Sequence, residues 1–250
     1  MAKSIKKEIK KAGCKMENSI NPISIQTIAI LGGTGKEGKG LGYRWAKAGF
    51  RILIGSRQKE KAEAAAVVLK SMVKGDCDVV GLTNDEAAVM GDIVVLSVPY
   101  AAQKELLSQL KDKLTGKVLI NVVVPLVPPK VSVVQMPPAG SAAKEAQFIL
   151  GENTHVVAAF QNISFENLLE EGIPDCDVLV CGGRKQDRAL VLQLVQAAQM
   201  VGWDGGPIEN AVVVEGLTSV LIGLNKQYGV RSSGIRFTGL PRPEKIDGKF

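Results

Sequence analysis

The sequence predicts an α/β fold built on a doubly wound parallel sheet, and three observations lead to this prediction. Short apolar runs alternate with helix-forming stretches from Thr27 onward. Hydrophobic residues make up 46% of the 250-residue chain but aromatic ones only 4%, so the core must consist mainly of aliphatic side chains. That composition is typical of parallel sheets covered by helices on both faces. Finally, glycines cluster where the first strand passes into the first helix.

The elements of the first half follow in order, each from its own hydrophobic pattern. The apolar runs predicted as strands are TIAIL, RILIG, CDVVGL, DIVVLSV and KVLINVV. The segments between them predicted as helices are residues 35–49, residues 58–74, DEAAVM and AQKELLSQLKDKL. Because strands that alternate with helices are joined by crossover connections, we expect the five strands to be parallel.

Prolines interrupt this alternation. Residues 122–140 contain five of them, which exclude regular structure and predict a long loop near a domain transition. Beyond the loop, THVVAAF and DCDVLVCGG are predicted as strands, DRALVLQLVQAAQMVG as a helix, residues 208–228 as a long apolar helix and SSGIRFTGL as a final strand. The expected division is a Lys-rich disordered extension at 1–25, a nucleotide-binding domain at 26–160 and a smaller α+β domain at 161–250.

Charge and cysteine content exclude several classes of function. The net charge is +6, but residues 1–25 contain six lysines against two glutamates, and the rest shows no basic stripe with interleaved aromatics. A nucleic-acid partner is therefore not expected. The four cysteines form no C-x-x-C pair and there is one histidine, so no metal site is expected. The apolar stretches are broken by Pro or Glu, and neither a signal peptide nor a membrane partner is expected, which predicts a cytoplasmic protein.

The glycine cluster has the spacing of a dinucleotide-binding loop. Gly33, Gly35 and Gly38 form G-x-G-x-x-G directly after the first strand and at the start of a helix. In a Rossmann fold these glycines allow a tight turn, close approach of a pyrophosphate and close helix packing, and the helix N-terminus binds the phosphates. A P-loop is the rival interpretation, but Gly40 stands where Ser or Thr would bind magnesium. A purely structural turn is the other alternative.

The end of the second strand predicts which dinucleotide is bound. An NAD site places a carboxylate here for the ribose hydroxyls, whereas this chain has GSRQKEK. Ser56 can donate a hydrogen bond to a 2′-phosphate, Arg57 can pair with it through its planar fork, and Lys61 lies one helical turn further on. NADP is therefore favoured over NAD. The alternative is that Ser56 caps the next helix and the lysines form a solvated face.

Side chains able to transfer protons are few. Among the candidates, His155 begins a predicted strand, Tyr100 follows the fourth strand, and Lys226 lies near the end of the last helix, where a lysine complements the helix dipole. Such scarcity favours a hydride exchange between two cofactors that the protein only has to align, so no catalytic residue is predicted.

The segments LGGTGKEGKGLGYRWAKAGFRILIGSR and VEGLTSVLIGLNKQYGVRSSGIRFTGL resemble NADPH-dependent reductases of the deazaflavin coenzyme F420. The resemblance covers about residues 27–240. It implies reversible hydride transfer between NADPH and coenzyme F420 on a Rossmann domain, with a small C-terminal domain that completes the deazaflavin cleft. It also suggests a homodimer. The long helix is apolar nearly all round, so we expect one face to pack on its own domain and another on a partner or ligand, and a fully buried core helix is the alternative.

The resemblance also implies site residues. The NADP set is Gly33, Thr34, Gly35, Lys36, Glu37, Gly38, Ser56, Arg57, Lys61, Val98, Ala102, Val127 and Phe165, and the deazaflavin set is Gln161, Asn162, Ile163, Thr218 and Ser233. Archaeal-looking members carry His at Gln161, Arg at Val212 and Ser at Gly216. Three basic residues, Arg184, Arg231 and Arg236, are candidates to contact the coenzyme's acidic tail. Rival functions are NADPH-dependent reduction of an imine, flavin or ferric chelate, and a non-catalytic NADP sensor.

Overall fold

The computed structural model describes residues 26–242, and the predicted extension at 1–25 lies outside them. In the described residues eight strands form one sheet in the order β3-β2-β1-β4-β5-β6-β7-β8. Strands β1 to β6 are parallel, β7 runs antiparallel to β6, and β8 is parallel to β7. The strands are β1 Thr27–Leu31, β2 Arg51–Ser56, β3 Val79–Thr83, β4 Ile93–Leu96, β5 Val118–Asn121, β6 His155–Ala158, β7 Asp177–Gly182 and β8 Val201–Gly206.

Helices cover both faces of this sheet. They are α1 Lys36–Lys47, α2 Lys59–Met72, α3 Asn84–Met90, α4 Tyr100–Leu110, α5 Ala142–Leu150, α6 Phe165–Leu169, α7 Lys185–Ala197 and α8 Ala211–Tyr228, with short 3₁₀ turns at Asp112–Leu114 and Ile208–Asn210. The order of β1 to β6 is that of a doubly wound Rossmann sheet. The predicted fold class is confirmed.

Successive strand residues point to opposite faces, and the apolar core is therefore divided into two layers. Ile28 and Ile30 of β1 pack with α1, α2 and α7, whereas Ala29 and Leu31 pack with α3, α4 and α5. Every residue of β4 is fully buried, as expected for a central strand covered on both faces. The core thus holds the ends of β1 and β4 rigidly side by side.

A buried arginine joins the first helix to the second half of the chain. Arg44 of α1 is 3% exposed, and its guanidinium donates to carbonyl oxygens of Asn167, Leu168, Glu170 and Gly172 at 2.7–2.8 Å. These four acceptors lie in α6 and the turn after it. Arg44 therefore caps the C-terminal end of α6 from a neighbouring element.

Two predictions of secondary structure in the second half are wrong. The helix predicted over DRALVLQLVQAAQMVG ends at Ala197, because Gln199 turns to a positive φ of 62° and the chain then forms β8 beside β7. Residues 232–240 form no strand. One backbone bond, from Asp177 N to Ile235 O at 2.8 Å, ties this tail to β7, and the Asp177 carboxylate accepts from Phe237 N where a ladder would continue.

A long loop follows β5, and the sheet continues past the predicted domain boundary. Residues 122–141 contain no helix or strand, as the prolines predict. The predicted boundary at 160/161 falls just after β6, where the strand direction reverses, while β7 and β8 continue the same sheet.

Candidate functional site

The turn between β1 and α1 brings backbone close to neighbouring elements. Gly32 has φ 72°, and a Cβ there would lie 2.5 Å from the carbonyl oxygen of Ser97. The amide of Gly33 donates to Ile30 O and Gly55 O, at 3.1 and 3.0 Å. A Cβ on Gly38 would lie 2.7 Å from the Cα of Gly33. The glycines thus permit the turn and the close seat of α1, and no side chain caps the α1 N-terminus at Gly35.

A cavity of about 680 Å³ opens beside this turn at the end of β2. We call it the basic cavity because Arg57 and Lys61 line it. Its other lining residues come from the glycine turn and the ends of β2 and β4, together with α3 and α4: Gly32, Thr34, Gly35, Ser56, Gln58, Asn84, Ser97, Val98, Pro99, Ala102, Glu105, Leu106 and Gln109. Its wall thus combines the glycine turn with two cationic side chains and one carboxylate, that of Glu105.

The cations of the basic cavity have no acidic partner in the described part of the chain. Lys59, which lies between them in sequence, pairs with Glu86 at 3.4 Å, whereas neither Arg57 nor Lys61 forms an ion pair within residues 26–242. Ser56 is 8% exposed and its hydroxyl accepts from Gln58 N at 3.3 Å. Helix α2 begins at Lys59 with Gln58 at its N-cap, so Ser56 is not the helix cap of the alternative interpretation.

A second cavity of about 700 Å³ lies on the other side of the β4 end. We call it the amide cavity, after the side-chain amides of Gln161 and Asn162. It shares four lining residues with the basic cavity: Gly35, Ser97, Val98 and Pro99. The two cavities are therefore neighbours across one wall, formed where β1 and β4 end at the switch point of the sheet, the usual ligand position in such folds.

The two amides of this cavity are held in one orientation. The Nε2 of Gln161 donates to Asn121 O at 2.7 Å, and the Nδ2 of Asn162 donates to Asp177 O at 3.0 Å. The two amide oxygens are buried and have no partner among the described residues. Buried acceptors are normally satisfied, so this pair is suited to a ligand that presents N–H groups.

The backbone that presents these amides is strained. Phe160 has φ 72°, which is uncommon for a residue other than glycine, and its ring is 1% exposed. Its ring packs edge-on against Trp45 with centroids 5.6 Å apart. The Nε1 of Trp45 in turn donates to Leu194 O at 2.9 Å. Packing against the fixed Trp45 ring thus holds the turn that places Gln161 at the cavity.

Two ionisable groups in the amide cavity favour their neutral forms. Burial raises the pKa of Glu37 to about 8, and its Oε1 has no hydrogen-bond partner among the described residues. Burial, and then the nearby charge of Glu145, raise the pKa of Tyr100 to about 12, and its hydroxyl donates to Glu145 at 3.3 Å. His155 lines neither cavity; it begins β6 and lies 3.3 Å from Asp187.

This geometry can be set beside proteins of known family. Residues 27–125 match the family model described as NADP oxidoreductase, coenzyme F420-dependent. The F420-dependent NADP reductase of Methanocaldococcus jannaschii is 42% identical over 221 residues, an alignment that covers 85% of this chain and 98% of the relative.

This chain belongs to the F420-dependent NADP reductase family.

One further relative agrees with this, and one solved structure shares the fold. The F420-dependent NADP reductase of Methanothermobacter thermautotrophicus is 39% identical over 229 residues, with 89% of this chain and 99% of the relative covered. The crystal structure of a candidate F420-dependent NADP reductase from Arthrobacter sp. FB24 is 21% identical and shares the fold, with a TM-score of 0.72 and 86% and 99% of the two chains covered.

Most residues that the F420-dependent NADP reductase resemblance singled out lie at the two cavities. The basic cavity collects Thr34, Gly35, Ser56, Arg57, Lys61, Val98 and Ala102, and the amide cavity collects Gly35, Lys36, Glu37, Val98, Gln161, Asn162, Ile163, Phe165, Thr218 and Ser233. Gly33 and Gly38 line neither cavity and shape the turn instead. Val127 is 43% exposed and lines neither cavity, although Leu126 and Pro128 on either side of it line the amide cavity.

The three positions at which archaeal-looking family members are expected to carry other residues lie apart in the structure. Gln161 lines the amide cavity, but Val212 and Gly216 do not. Val212 is 38% exposed, and a Cβ on Gly216 would face Val134 and Met136 of the loop after β5, at 3.5 and 3.7 Å. Of these three residues, only Gln161 lines either cavity.

Some site residues were missed by the sequence interpretation. Asn84 is 5% exposed, lines the basic cavity, and accepts from Gly32 N at 3.2 Å through Oδ1. It directly follows β3, and the rule that ligands bind at the carboxyl ends of parallel strands could have indicated it. Among residues 26–242 no cluster of three or more His, Cys, Asp or Glu is arranged to hold a metal ion.

Proposed function

We propose that this protein transfers a hydride between NADPH and the deazaflavin coenzyme F420, in either direction. The observation that carries the proposal is the pair of adjoining cavities, one basic and one lined by oriented amides, with a common wall at Gly35, Ser97, Val98 and Pro99. The relatives named F420-dependent NADP reductase support the choice of the two cofactors. Two cofactors on either side of one wall can bring their reacting carbons together at its rim.

The proposed NADP site runs from the basic cavity to the common wall. Arg57 and Lys61 would hold the 2′-phosphate with Ser56, and the uncapped N-terminus of α1 would bind the pyrophosphate beside Thr34 and Gly35. Gly35 lines the cavity without a side chain, which leaves the backbone open to such an approach. The residues thus fit the dinucleotide. Lys36, Glu37, Val98, Ala102, Val127 and Phe165 complete the proposed NADP set, in which Lys36 Nζ lies 4.6 Å from the ring centroid of Phe165.

The proposed deazaflavin site is the amide cavity. The unpartnered oxygens of Gln161 and Asn162 fit a ring edge that presents N–H groups, and Ile163 supplies apolar contact. Thr218 is already positioned, because its hydroxyl donates to Gln161 O at 2.7 Å. Ser233 completes the set from the segment after α8. Residues 161–250 would thus close the cleft over the 26–160 domain.

Hydride transfer between the two cofactors requires little acid–base catalysis by the protein. When bound, the reduced nicotinamide supplies the hydride and the deazaflavin accepts it. The chain's own residues align the two rings and exclude water through Val98, Ile163 and Phe160. Tyr100 keeps its proton because its pKa is about 12, so it is not suited to act as a base at neutral pH. We therefore propose alignment without an obligatory catalytic side chain.

A direct assay tests the proposal. Purified protein mixed with NADPH and coenzyme F420 is expected to bleach the visible absorbance of the deazaflavin, and the reverse mixture is expected to produce NADPH. Controls with NADPH and a cyclic imine, a flavin or a ferric chelate should show far slower turnover. The proposal would be refuted if the deazaflavin were bleached at none of the pH values tested. A control reaction faster than that with coenzyme F420 would indicate one of the rival reductases.

We further propose a cytoplasmic homodimer. Residues Ile208–Tyr228, with mean hydropathy 1.3, match a membrane span by length and composition. Glu215 in their middle is fully buried and accepts from the amides of Ala142 and Ala143 at 2.6 and 3.0 Å, which ties α8 to α5 within the protein. The outer face of α8 leaves Val213, Val220 and Leu224 exposed, and a second copy is the proposed cover.

A further inference from the structure

The three arginines considered for the coenzyme's acidic tail differ in whether a carboxylate pairs with them. Arg184 forms a two-pronged pair with Asp187 at 3.0 Å, and Arg236 pairs with Asp175 at 3.0 Å. Arg231 lines the amide cavity and forms no ion pair with any residue between 26 and 242. Of these three charges, the one at the cavity is the one left without a carboxylate.

The backbone that carries Arg231 is held in place. Helix α8 ends at Gly229, whose left-handed φ of 65° turns the chain back. Asn225 on the last turn of α8 then binds the returning segment twice, with Nδ2 donating to Arg231 O at 3.2 Å and Oδ1 accepting from Ser233 N at 3.0 Å. Val230 N donates to Asn225 O at 3.0 Å. The Arg231 guanidinium is therefore exposed, but the backbone that carries it is fixed by hydrogen bonds to Asn225.

The charges that line the amide cavity lie on two separate elements. Lys36 and Glu37 belong to the first turn of α1, next to the glycine turn. Arg231 follows α8, where Leu221, Ile222 and Asn225 also line the cavity. A ligand that fills the cavity would thus meet amide acceptors at Gln161 and Asn162 and apolar side chains of α8. Its two cations lie at opposite elements, with Lys36 over the Phe165 ring at the start of α1 and Arg231 after the end of α8.

We propose that Arg231 binds the anionic tail of the deazaflavin coenzyme, so that the ring lies toward Gln161 and Asn162 and the tail leaves the cavity beside the end of α8. This inference rests on the proposed function. The tail carries phosphate and carboxylate groups, both of which a guanidinium fork can bind through paired N–H donors. Because Arg231 is exposed, solvent screens the pair, and we expect roughly a three- to tenfold gain in affinity rather than a larger one.

The test compares deazaflavins with and without the tail. Fluorescence titration is carried out with coenzyme F420, with a fragment that keeps the phosphate but lacks the glutamates, and with the ring–ribityl fragment that lacks both. The native protein is expected to bind the full coenzyme three- to tenfold more tightly than the ring–ribityl fragment, and added salt should reduce the difference. In Arg231→Gln the difference should disappear while the affinity for the ring–ribityl fragment stays unchanged.

The matched control is Arg236→Gln, which removes an exposed arginine of the same segment that does not line the cavity. It should keep the native preference. A gain already present with the phosphate-bearing fragment assigns the pairing to phosphate, and a gain that needs the glutamates assigns it to carboxylate; either supports the inference. Equal binding of all three deazaflavins by the native protein, or an Arg231→Gln protein with the native preference, would overturn it.

The outcome separates this inference from the proposed function. If NADPH reduces both the full coenzyme and the ring–ribityl fragment but Arg231→Gln leaves their affinities unaltered, the function stands and the role of Arg231 fails. If the native protein distinguishes the deazaflavins in binding and Arg231→Gln does not, yet neither protein reduces them, the assigned reaction fails and the role of Arg231 stands. The side chain of Arg231 makes no hydrogen bond within residues 26–242, so its replacement should leave the melting temperature unchanged.

Discussion

At the scale of single residues, the guanidinium of Arg57 stands at the point where β2 opens into the basic cavity. The end of β2 is buried up to Ser56, and the next side chain, Arg57, is exposed to the cavity without a carboxylate partner within residues 26–242. A cation left unpaired at such a position indicates an anionic ligand. The alternative of a solvated lysine face holds for Lys59, which pairs with Glu86.

Replacing the positive charge of Arg57 should change the preference between NADPH and NADH. In Arg57→Glu we expect the KM for NADPH to rise roughly 10- to 100-fold, because a hydrogen bond to a charged group contributes about 1.5–3 kcal/mol. The KM for NADH should fall, since the new carboxylate can accept from the ribose hydroxyls. Steady-state kinetics with both dinucleotides check this. Lys70→Glu, an exposed change on the outer side of α2, is the control, and an unchanged preference in Arg57→Glu would contradict the assignment.

Glu37 should make stability depend on pH. Its pKa rises from 4.5 to about 8 on folding, so between these values the folded state keeps a proton that the unfolded state has lost. The free energy of unfolding should therefore decrease as pH rises from about 4.5 to about 8 and level off above that. Glu37→Gln should melt several degrees higher than the native protein at pH 9 and show no such advantage at pH 4.5.

Thermal melts across this pH range measure the effect. Glu63→Gln removes an exposed carboxylate on α2 and serves as the control. If both variants showed the same pH profile as the native protein, Glu37 would not be the group that binds the extra proton.

At the residue level, the sequence allows a prediction where a residue type has one physical role. The glycines, Arg57 and Gln161 were predicted from spacing or family likeness, and all lie at the glycine turn or a cavity. Phe160 could not be predicted, because its positive φ depends on packing against Trp45, a residue 115 positions earlier. The side chain gives no local signal of that strain.

At the scale of elements, the fit of α1 onto the glycine turn is very close. A methyl on Gly38 would meet the Cα of Gly33 at 2.7 Å, whereas one on Gly35 would meet nothing closer than Gly32 O at 3.6 Å. Gly35 nevertheless lines both cavities. The two glycines therefore separate the packing of the helix from the space left for a cofactor.

This pair gives a matched experiment on stability and binding. Gly38→Ala should lower stability by about 1–3 kcal/mol, because the added methyl must push α1 away from the turn. Gly35→Ala should keep native stability and still raise the KM for NADPH at least about tenfold, because its methyl occupies the space where the pyrophosphate approaches the backbone. Urea unfolding and steady-state kinetics on both proteins distinguish the effects. Equal stabilities would contradict the close contact at Gly38.

Element prediction was reliable where the hydrophobic period was clear and failed where tertiary contacts decide. The alternation from β1 to β5 follows from strand and helix periods alone. VGWDGG reads as a weak segment, with three glycines in six residues, yet it forms β8 because β7 offers it an edge and Trp203 donates to Asp177 at 2.9 Å. Residues 232–240 show the opposite case, because their sequence favours a strand but they form none. Phe237 N donates to the Asp177 carboxylate of β7 instead of joining a ladder of backbone hydrogen bonds.

At the scale of the whole molecule, one sheet runs through both predicted domains. Strands β1 and β4 end at its centre, and the two cavities meet there. The outer face of α8 lies away from these cavities: Val213, Val220 and Leu224 are 53%, 45% and 37% exposed and line neither of them. Their spacing places them on one side of the helix.

Charges on that face should produce a monomer. In Val213→Glu/Val220→Glu we expect light scattering after size exclusion to give half the native mass, because two buried carboxylates per subunit would oppose association. Val67→Glu places the same charge on α2 at a valine that is 67% exposed and should leave the mass unchanged. A native protein that already elutes as a monomer would refute the proposed dimer.

The four hydrogen bonds of the Arg44 guanidinium should also protect one segment of the chain from proteolysis. The segment it holds contains Glu166, Glu170 and Glu171, three sites for a protease that cuts after glutamate, and α6 is only five residues long. With four carbonyls bound to one buried side chain, this segment cannot extend into a protease cleft unless all four bonds break together. We expect such a protease to cut Arg44→Met within this segment while the sheet stays folded, and to leave the native protein uncut there. That result would show that a single side chain protects this segment.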